Sequence, residues 1–294
     1  MSSTKFHGTG VAIITPFRED KSIDFKSFDK LIDFQINEGI DYIVVLGTTG
    51  ENVTLNYEEK KAVISFVVEK VNKRVPVVVG IGGNNTNEIL HCIKDTDFNG
   101  IDAILSVSPY YNKPSQQGLY EHYKAIACAS PVPIILYNVP GRTSSNILPE
   151  TVIKLSNEFN NVVAIKEASG DLGQIMSIIK NKKNDFMLIS GDDAFAFPIV
   201  CLGGSGVISV IANAFPKLMS SMIKYALQGE YNKAREIHYK LLDIIKAIFV
   251  EGSPAGIKAV LEILGLSKNY LRLPLTPVSK EHYTKLEGLV KKLS

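Results

Sequence analysis

The sequence predicts an α/β protein, a closed (β/α)8 barrel of the TIM type with a C-terminal helical extension. Three observations carry this expectation. Eight apolar runs begin near Val11, Tyr42, Pro76, Ala103, Pro133, Val162, Phe186 and Gly206, roughly 20 to 34 residues apart. Segments with helical spacing lie between them, such as Phe28, Leu31, Ile32 and Gln35, or Ala62, Val63, Phe66, Val67 and Lys70. The runs are almost continuously apolar, as in Ile43-Val44-Val45-Leu46 and Ile134-Ile135-Leu136, which is the pattern of parallel strands covered on both faces. Parallel neighbours need a helix-length crossover. Eight such units in about 215 residues favour a closed barrel over an open sheet.

The first run ends in Ile14-Thr15-Pro16-Phe17. An open dinucleotide-binding sheet would place a G-x-G-x-x-G fingerprint there, and none is present. Gly80-Ile81-Gly82-Gly83 and Gly203-Gly204-Ser205-Gly206 lack that spacing and read as tight connections. The barrel is assigned to residues 1–230 and the helical extension to residues 231–294. Within the extension, Ile237, Leu241, Ile244, Ile245 and Ile248 mark one helix between Lys233 and Val250. A second, Ile257 to Leu264, follows Ser253-Pro254, which suits a capped start with proline in the first helical position. A proline-bearing turn, Arg272 to Pro277, precedes a last amphipathic helix.

Composition narrows the function classes. The 294 residues carry 32 Lys plus Arg against 30 Asp plus Glu, a net charge of +2, so no field is built for nucleic acid. No run approaches a membrane span, and Met1 to Gly10 has no apolar signal region. Cys92, Cys128 and Cys201 are odd in number and form no CxxC pair, which suits reduced thiols. Residence in the cytoplasm is the expectation. No Walker loop, HExxH or paired-cysteine metal pattern occurs.

One lysine interrupts a strand. Lys166 sits in Val162-Val163-Ala164-Ile165-Lys166-Glu167-Ala168, and burying its ammonium is costly unless it pairs or loses its proton. Desolvation lowers a lysine pKa, and a neutral amine attacks carbonyl carbon, the opening step of Schiff-base chemistry. The plainer alternative is a lysine that snorkels to water or pairs with Glu167.

In (β/α)8 enzymes the catalytic groups gather at the carboxyl ends of the strands. Here those ends carry Gly47-Thr48-Thr49-Gly50-Glu51, Ser108-Pro109-Tyr110-Tyr111-Asn112, Tyr137-Asn138-Val139-Pro140-Gly141-Arg142-Thr143, Lys166, and Ser190-Gly191-Asp192-Asp193. An imine at Lys166 needs protons moved to and from its oxygen and neighbouring carbon, and a tyrosine relayed to solvent by another hydroxyl supplies that. Thr48 bridging Tyr137 and Tyr111 fits the need. Backbone N–H groups around Thr48 and Thr49 suit one carboxylate, and Arg142 a second. Taken singly, Thr48-Thr49 reads as a turn, Arg142 as a surface ion pair, Tyr137 as an interior aromatic and Tyr110-Tyr111 as an interface anchor. Asp192-Asp193 reads as an N-terminal cap for a helix over Ala194 to Leu202. Joint occurrence on five strand ends favours the functional reading.

These residues resemble the dihydrodipicolinate synthase family, within the pyruvate-dependent class I aldolases. The resemblance runs from Gly10-Val11-Ala12-Ile13-Ile14-Thr15-Pro16-Phe17 to Leu271-Arg272-Leu273-Pro274. It implies a lyase of lysine biosynthesis that condenses pyruvate with aspartate 4-semialdehyde, without metal or organic cofactor. By position it makes Lys166 the imine lysine, Tyr137 the acid/base group, and Thr48 with Tyr111 the rest of the relay. Tyr111 would cross a tight dimer interface, and two such dimers would form a homotetramer. Thr49 would hold the pyruvate carboxylate and Arg142 that of the semialdehyde, with Gly191 and Ile208 lining the pocket. The nearest competitor is N-acetylneuraminate lyase or a related sugar-acid aldolase, which typically lacks Arg142 in its context and the Pro109 to Pro114 stretch. Asn84, Glu88 and Tyr110 match an effector site for L-lysine in some members. Lys60 stands where sensitive members have histidine or glutamate, and its cation would repel the effector's amine, so inhibition is expected to be weak or absent.

Overall fold

The computed structural model describes residues 3–293. Its eight strands are β1 (Gly8–Ala12), β2 (Tyr42–Val45), β3 (Val77–Gly80), β4 (Ala103–Val107), β5 (Ile134–Asn138), β6 (Val162–Glu167), β7 (Met187–Ser190) and β8 (Gly206–Ser209). All pair in parallel in chain order, and β8 returns to β1 through Gly8↔Gly206 and Gly10↔Ile208 to close the barrel. The continuously apolar runs are explained by two separate cores. Alternate residues such as Tyr42, Val44, Leu105, Ile135, Tyr137, Ile189 and Ile208 fill the barrel interior. Their neighbours, including Ile43, Val45, Ile134, Leu136, Ile165 and Leu188, pack beneath the surrounding helices. With a side-chain period of two, both faces of each strand are covered.

The first strand starts three residues earlier than the apolar run near Val11. Its glycines conceal it from propensity, and the barrel interior requires them. A Cβ on Gly10 would lie 2.2 Å from the Tyr42 ring, which occupies the space inside. Gly206 has φ +146°, and a Cβ there would meet the Gly8 carbonyl at 1.9 Å. Beyond the ladder the chain stays extended: the Ile13 N–H donates to Val44 at 3.0 Å and the Ile14 N–H to the Asn213 side chain at 3.1 Å.

Five of the outer helices start on polar caps. Asn56 opens the helix Tyr57–Val71 with a full capping box to Glu59, and Asp24, Asn85, Ser115 and Asp171 cap others. After the helix Pro216–Leu227 come Tyr231–Ala247, Ala255–Ile263 and Lys280–Lys291. The middle one begins differently from the sequence expectation: Pro254 occupies the capping position itself, and no side chain caps the helix there. The reason is burial. Every residue from Ala255 to Leu261 is buried, and tertiary packing holds this helix without a polar start. No helix among the described residues is long and apolar enough to cross a membrane.

One buried histidine gives the barrel a pH dependence. His122, on the helix Gln116–Ala129, places Nδ1 2.8 Å from the Thr86 hydroxyl, and burial pushes its pKa from 6.5 down to about 4. Between those values the unfolded chain binds the proton that the folded chain refuses, so stability rises with pH across that window. His122→Asn is expected to remove a loss on the order of 3 kcal/mol between pH 6.5 and 4. Urea unfolding of both proteins at the two pH values measures this; equal losses would refute it.

Candidate active site

Lys166 lies near the carboxyl end of β6 with its side chain inside the barrel, and is only 5% exposed. Its amine sits 4.1 Å from the ring centroid of Tyr137, its register partner on β5. Gly191, just past β7, makes room for it. A Cβ there would meet Ala168 Cβ at 2.8 Å and Lys166 Cε at 3.0 Å, so a side chain at 191 would crowd the lysine. Ile208 on β8 belongs to the same interior cluster as Tyr137.

The pairing of Lys166 with Glu167 is not formed, because consecutive strand residues face opposite sides. Glu167 points outward and is fully buried. Its carboxylate accepts from Asn138 Nδ2 at 3.0 and 3.2 Å, Gln174 Nε2 at 3.0 Å and the Ser169 N–H at 2.7 Å. Asn138 also donates to Asn146 Oδ1 at 2.8 Å and accepts from the Ile147 N–H at 2.9 Å. This network fastens both ends of the β5 loop that carries Arg142.

Above the strands an open cavity of about 250 Å³ is bordered by Thr48, Tyr110, Tyr137, Val139, Arg142 and Thr143, among others. Tyr137 joins cavity and lysine, since it forms one wall and lies against the amine. Thr48 is exposed on the short turn Thr48–Gly50, and the adjacent Thr49 is buried. Tyr111 is outside this arrangement. It is 85% exposed at a backbone φ of +70° and does not border the cavity. Among the described residues no hydrogen bond joins the hydroxyls of Thr48, Tyr137 and Tyr111.

A second cavity, of about 460 Å³, is lined by Lys60, Asn84, Glu88 and Tyr110, the residues singled out for an effector. It shares Asn52, Val53 and Tyr110 with the first. Asn84 Nδ2 donates to the Tyr110 carbonyl at 3.2 Å, tying the two loops together.

Asp192 and Asp193 do not cap the expected helix. That helix is Ala196–Cys201 and has no side-chain cap. Asp192 accepts from the Ala194 N–H at 2.8 Å. Asp193 is buried and accepts the N–H groups of Val210 at 3.0 Å and Ile211 at 2.8 Å. It therefore stitches the β7 loop to the β8 loop, where orphan donors of the turn Ile211–Asn213 needed an acceptor. Burial pushes its pKa up to about 6.

Sequence reasoning passed over the most deeply buried lysine. Lys258 is completely buried on Ala255–Ile263 and pairs with the equally buried Glu51. The signal was present: a lone charge within Ala255-Gly256-Ile257-Lys258-Ala259-Val260-Leu261.

In a closed (β/α)8 barrel, a buried amine against a cavity-lining tyrosine near the carboxyl ends of the strands lies where barrel enzymes carry their active sites. Residues 5–293 match the Dihydrodipicolinate synthetase family, and the chain belongs to that family. A 4-hydroxy-tetrahydrodipicolinate synthase of Parabacteroides distasonis is 52% identical over 294 residues, covering 100% of this chain and 99% of the relative. The crystal structure of dihydrodipicolinate synthase from Thermotoga maritima is similar at a TM-score of 0.96 and 42% identity, covering 98% of each chain. The enzyme of Acinetobacter baumannii, solved in complex with pyruvate, is similar at a TM-score of 0.94 and 40% identity, covering 97% of this chain and 98% of that one. The chain is a lyase.

Proposed function

We propose that this lyase condenses pyruvate with aspartate 4-semialdehyde to give 4-hydroxy-tetrahydrodipicolinate, through an imine at Lys166. The observation that carries the reading is the Lys166 amine, buried against the ring of Tyr137, which lines the cavity, and in no ion pair among the described residues. The Lys166 nitrogen adds to the ketone carbon of pyruvate, and the oxygen leaves as water after protonation by Tyr137. Loss of a methyl proton then gives an enamine, whose carbon attacks the aldehyde carbon of the second substrate. The aldehyde oxygen takes up a proton. The substrate's own amino group finally adds to the imine carbon, closing the ring and expelling Lys166.

Thr48 and Tyr111 complete the proton path in this reading. The exposure of Tyr111 supports its delivery to a neighbouring subunit's cavity, in a homotetramer built as a dimer of dimers. Thr49 and its neighbouring N–H groups would take the pyruvate carboxylate. Arg142, on a loop fixed by Asn138 and Asn146, would grip the semialdehyde carboxylate by a paired hydrogen bond. Gly191 and Ile208 keep the lysine channel clear. A coupled assay with the two substrates tests the proposal. Turnover supports it, whereas cleavage of N-acetylneuraminate with none of the condensation would favour the sugar-acid lyase reading. The presence of Arg142 on the cavity wall favours the condensation.

The second cavity is the candidate effector site, and its cation Lys60 opposes a bound ammonium. L-lysine at millimolar concentration is expected to inhibit turnover weakly or not at all. A full inhibition curve checks this, and strong inhibition would contradict the electrostatic argument.

A further inference from the structure

The reaction proposed above depends on where Thr48 and Thr49 sit, and helices beyond the barrel reach that segment. The turn Thr48–Gly50 closes on Glu51, whose backbone is left-handed at φ 54° and ψ 35°. A non-glycine residue stays in that conformation only where its surroundings hold it. Here the Glu51 side chain turns inward and meets the Lys258 ammonium, both groups being completely buried. Lys258 also donates to the Tyr270 carbonyl at 2.8 Å and rests 4.2 Å above the Phe17 ring. The other Glu51 oxygen accepts the Arg272 N–H at 3.2 Å. The Arg272 guanidinium reaches the far end of the same segment, donating to the Thr54 carbonyl at 2.8 Å and to both Glu59 oxygens at 2.6 and 2.8 Å.

We propose that Lys258 and Glu51 form a positioning pair through which the C-terminal helices set Thr48 and Thr49 against the substrate. The inference rests on the roles given to those threonines above. A buried ion pair is weak evidence of stabilisation by itself, because desolvation offsets the attraction. Its location explains it better. Among the described residues every side-chain tie on Glu51 comes from beyond residue 250, while the β5 loop with Arg142 is held by a separate network. Loosening the pair therefore disturbs one substrate's contacts and leaves the other's in place.

The test is the full-length double variant Glu51→Gln/Lys258→Met, which removes both charges without stranding either. Expected are a fall in kcat of about tenfold or more and a rise in KM for pyruvate of at least roughly threefold. The KM for aspartate 4-semialdehyde should stay within about twofold. Borohydride trapping of pyruvate at Lys166 should persist. Arg272→Gln, at a partly exposed site, keeps the backbone bond to Glu51 and removes the guanidinium ties to Thr54 and Glu59, so it should show the same split more weakly; it decides the matter if the double variant does not fold. Unchanged kinetics, or equal movement of both KM values, would overturn the proposal. Failure to trap pyruvate on the wild-type enzyme would instead remove the imine assignment and is a separate outcome.

Discussion

Lys166→Ala is expected to give a folded protein whose turnover drops by at least roughly 10³-fold, about 4 kcal/mol of barrel-mouth chemistry lost. The fold survives because the variant removes a buried polar group that is in no ion pair among the described residues and leaves the β6 ladder to β5 and β7 intact. The space vacated lies beside Gly191 and against the Tyr137 ring. Catalysis does not survive, since no other amine replaces this nucleophile: Lys258 is committed to Glu51 and Tyr270. Circular dichroism and a coupled assay at saturating pyruvate check both halves. A variant retaining a tenth of wild-type turnover would show that the covalent step lies elsewhere.

Tyr137→Phe is expected to cost about 10²- to 10⁴-fold in kcat, the range for one general acid–base group. The substitution keeps the ring that lies against the Lys166 amine and lines the cavity. It deletes only the hydroxyl, so the melting temperature should hardly move. Trapping of pyruvate at Lys166 should become slow while reaching the same final extent, because the protonation of the departing oxygen is impaired rather than the nucleophile. A loss under threefold would assign the proton transfer to another group.

How much of this was legible in the sequence differs between the framework and the mouth. The barrel was readable because both faces of each strand are covered, which writes uninterrupted apolar runs such as Ile134-Ile135-Leu136 into the chain. The start of β1 was not, because Gly8 and Gly10 answer to the bulk of Tyr42 across the barrel, a contact between residues far apart in sequence. Lys166 announced itself as a charge inside a strand. Its orientation away from Glu167 follows from strand alternation, yet the acceptors and donors around Glu167 come from Asn138 and Gln174, which spacing alone does not bring together. The same limit hid the tie between Glu51 and Lys258. Each residue was conspicuous locally, and only the packing of Ala255–Ile263 against the β2 loop joins them. Tyr111 is the reverse case: its place after β4 was legible, yet the ring stands 85% exposed and outside the cavity.

Sodium borohydride reduction in the presence of pyruvate, followed by peptide mass mapping, bears most directly on the chemistry assigned to this barrel. One reduced pyruvate per chain, located on the peptide that carries Lys166, is the predicted result. No adduct, or an adduct on a different lysine such as Lys258, would contradict it.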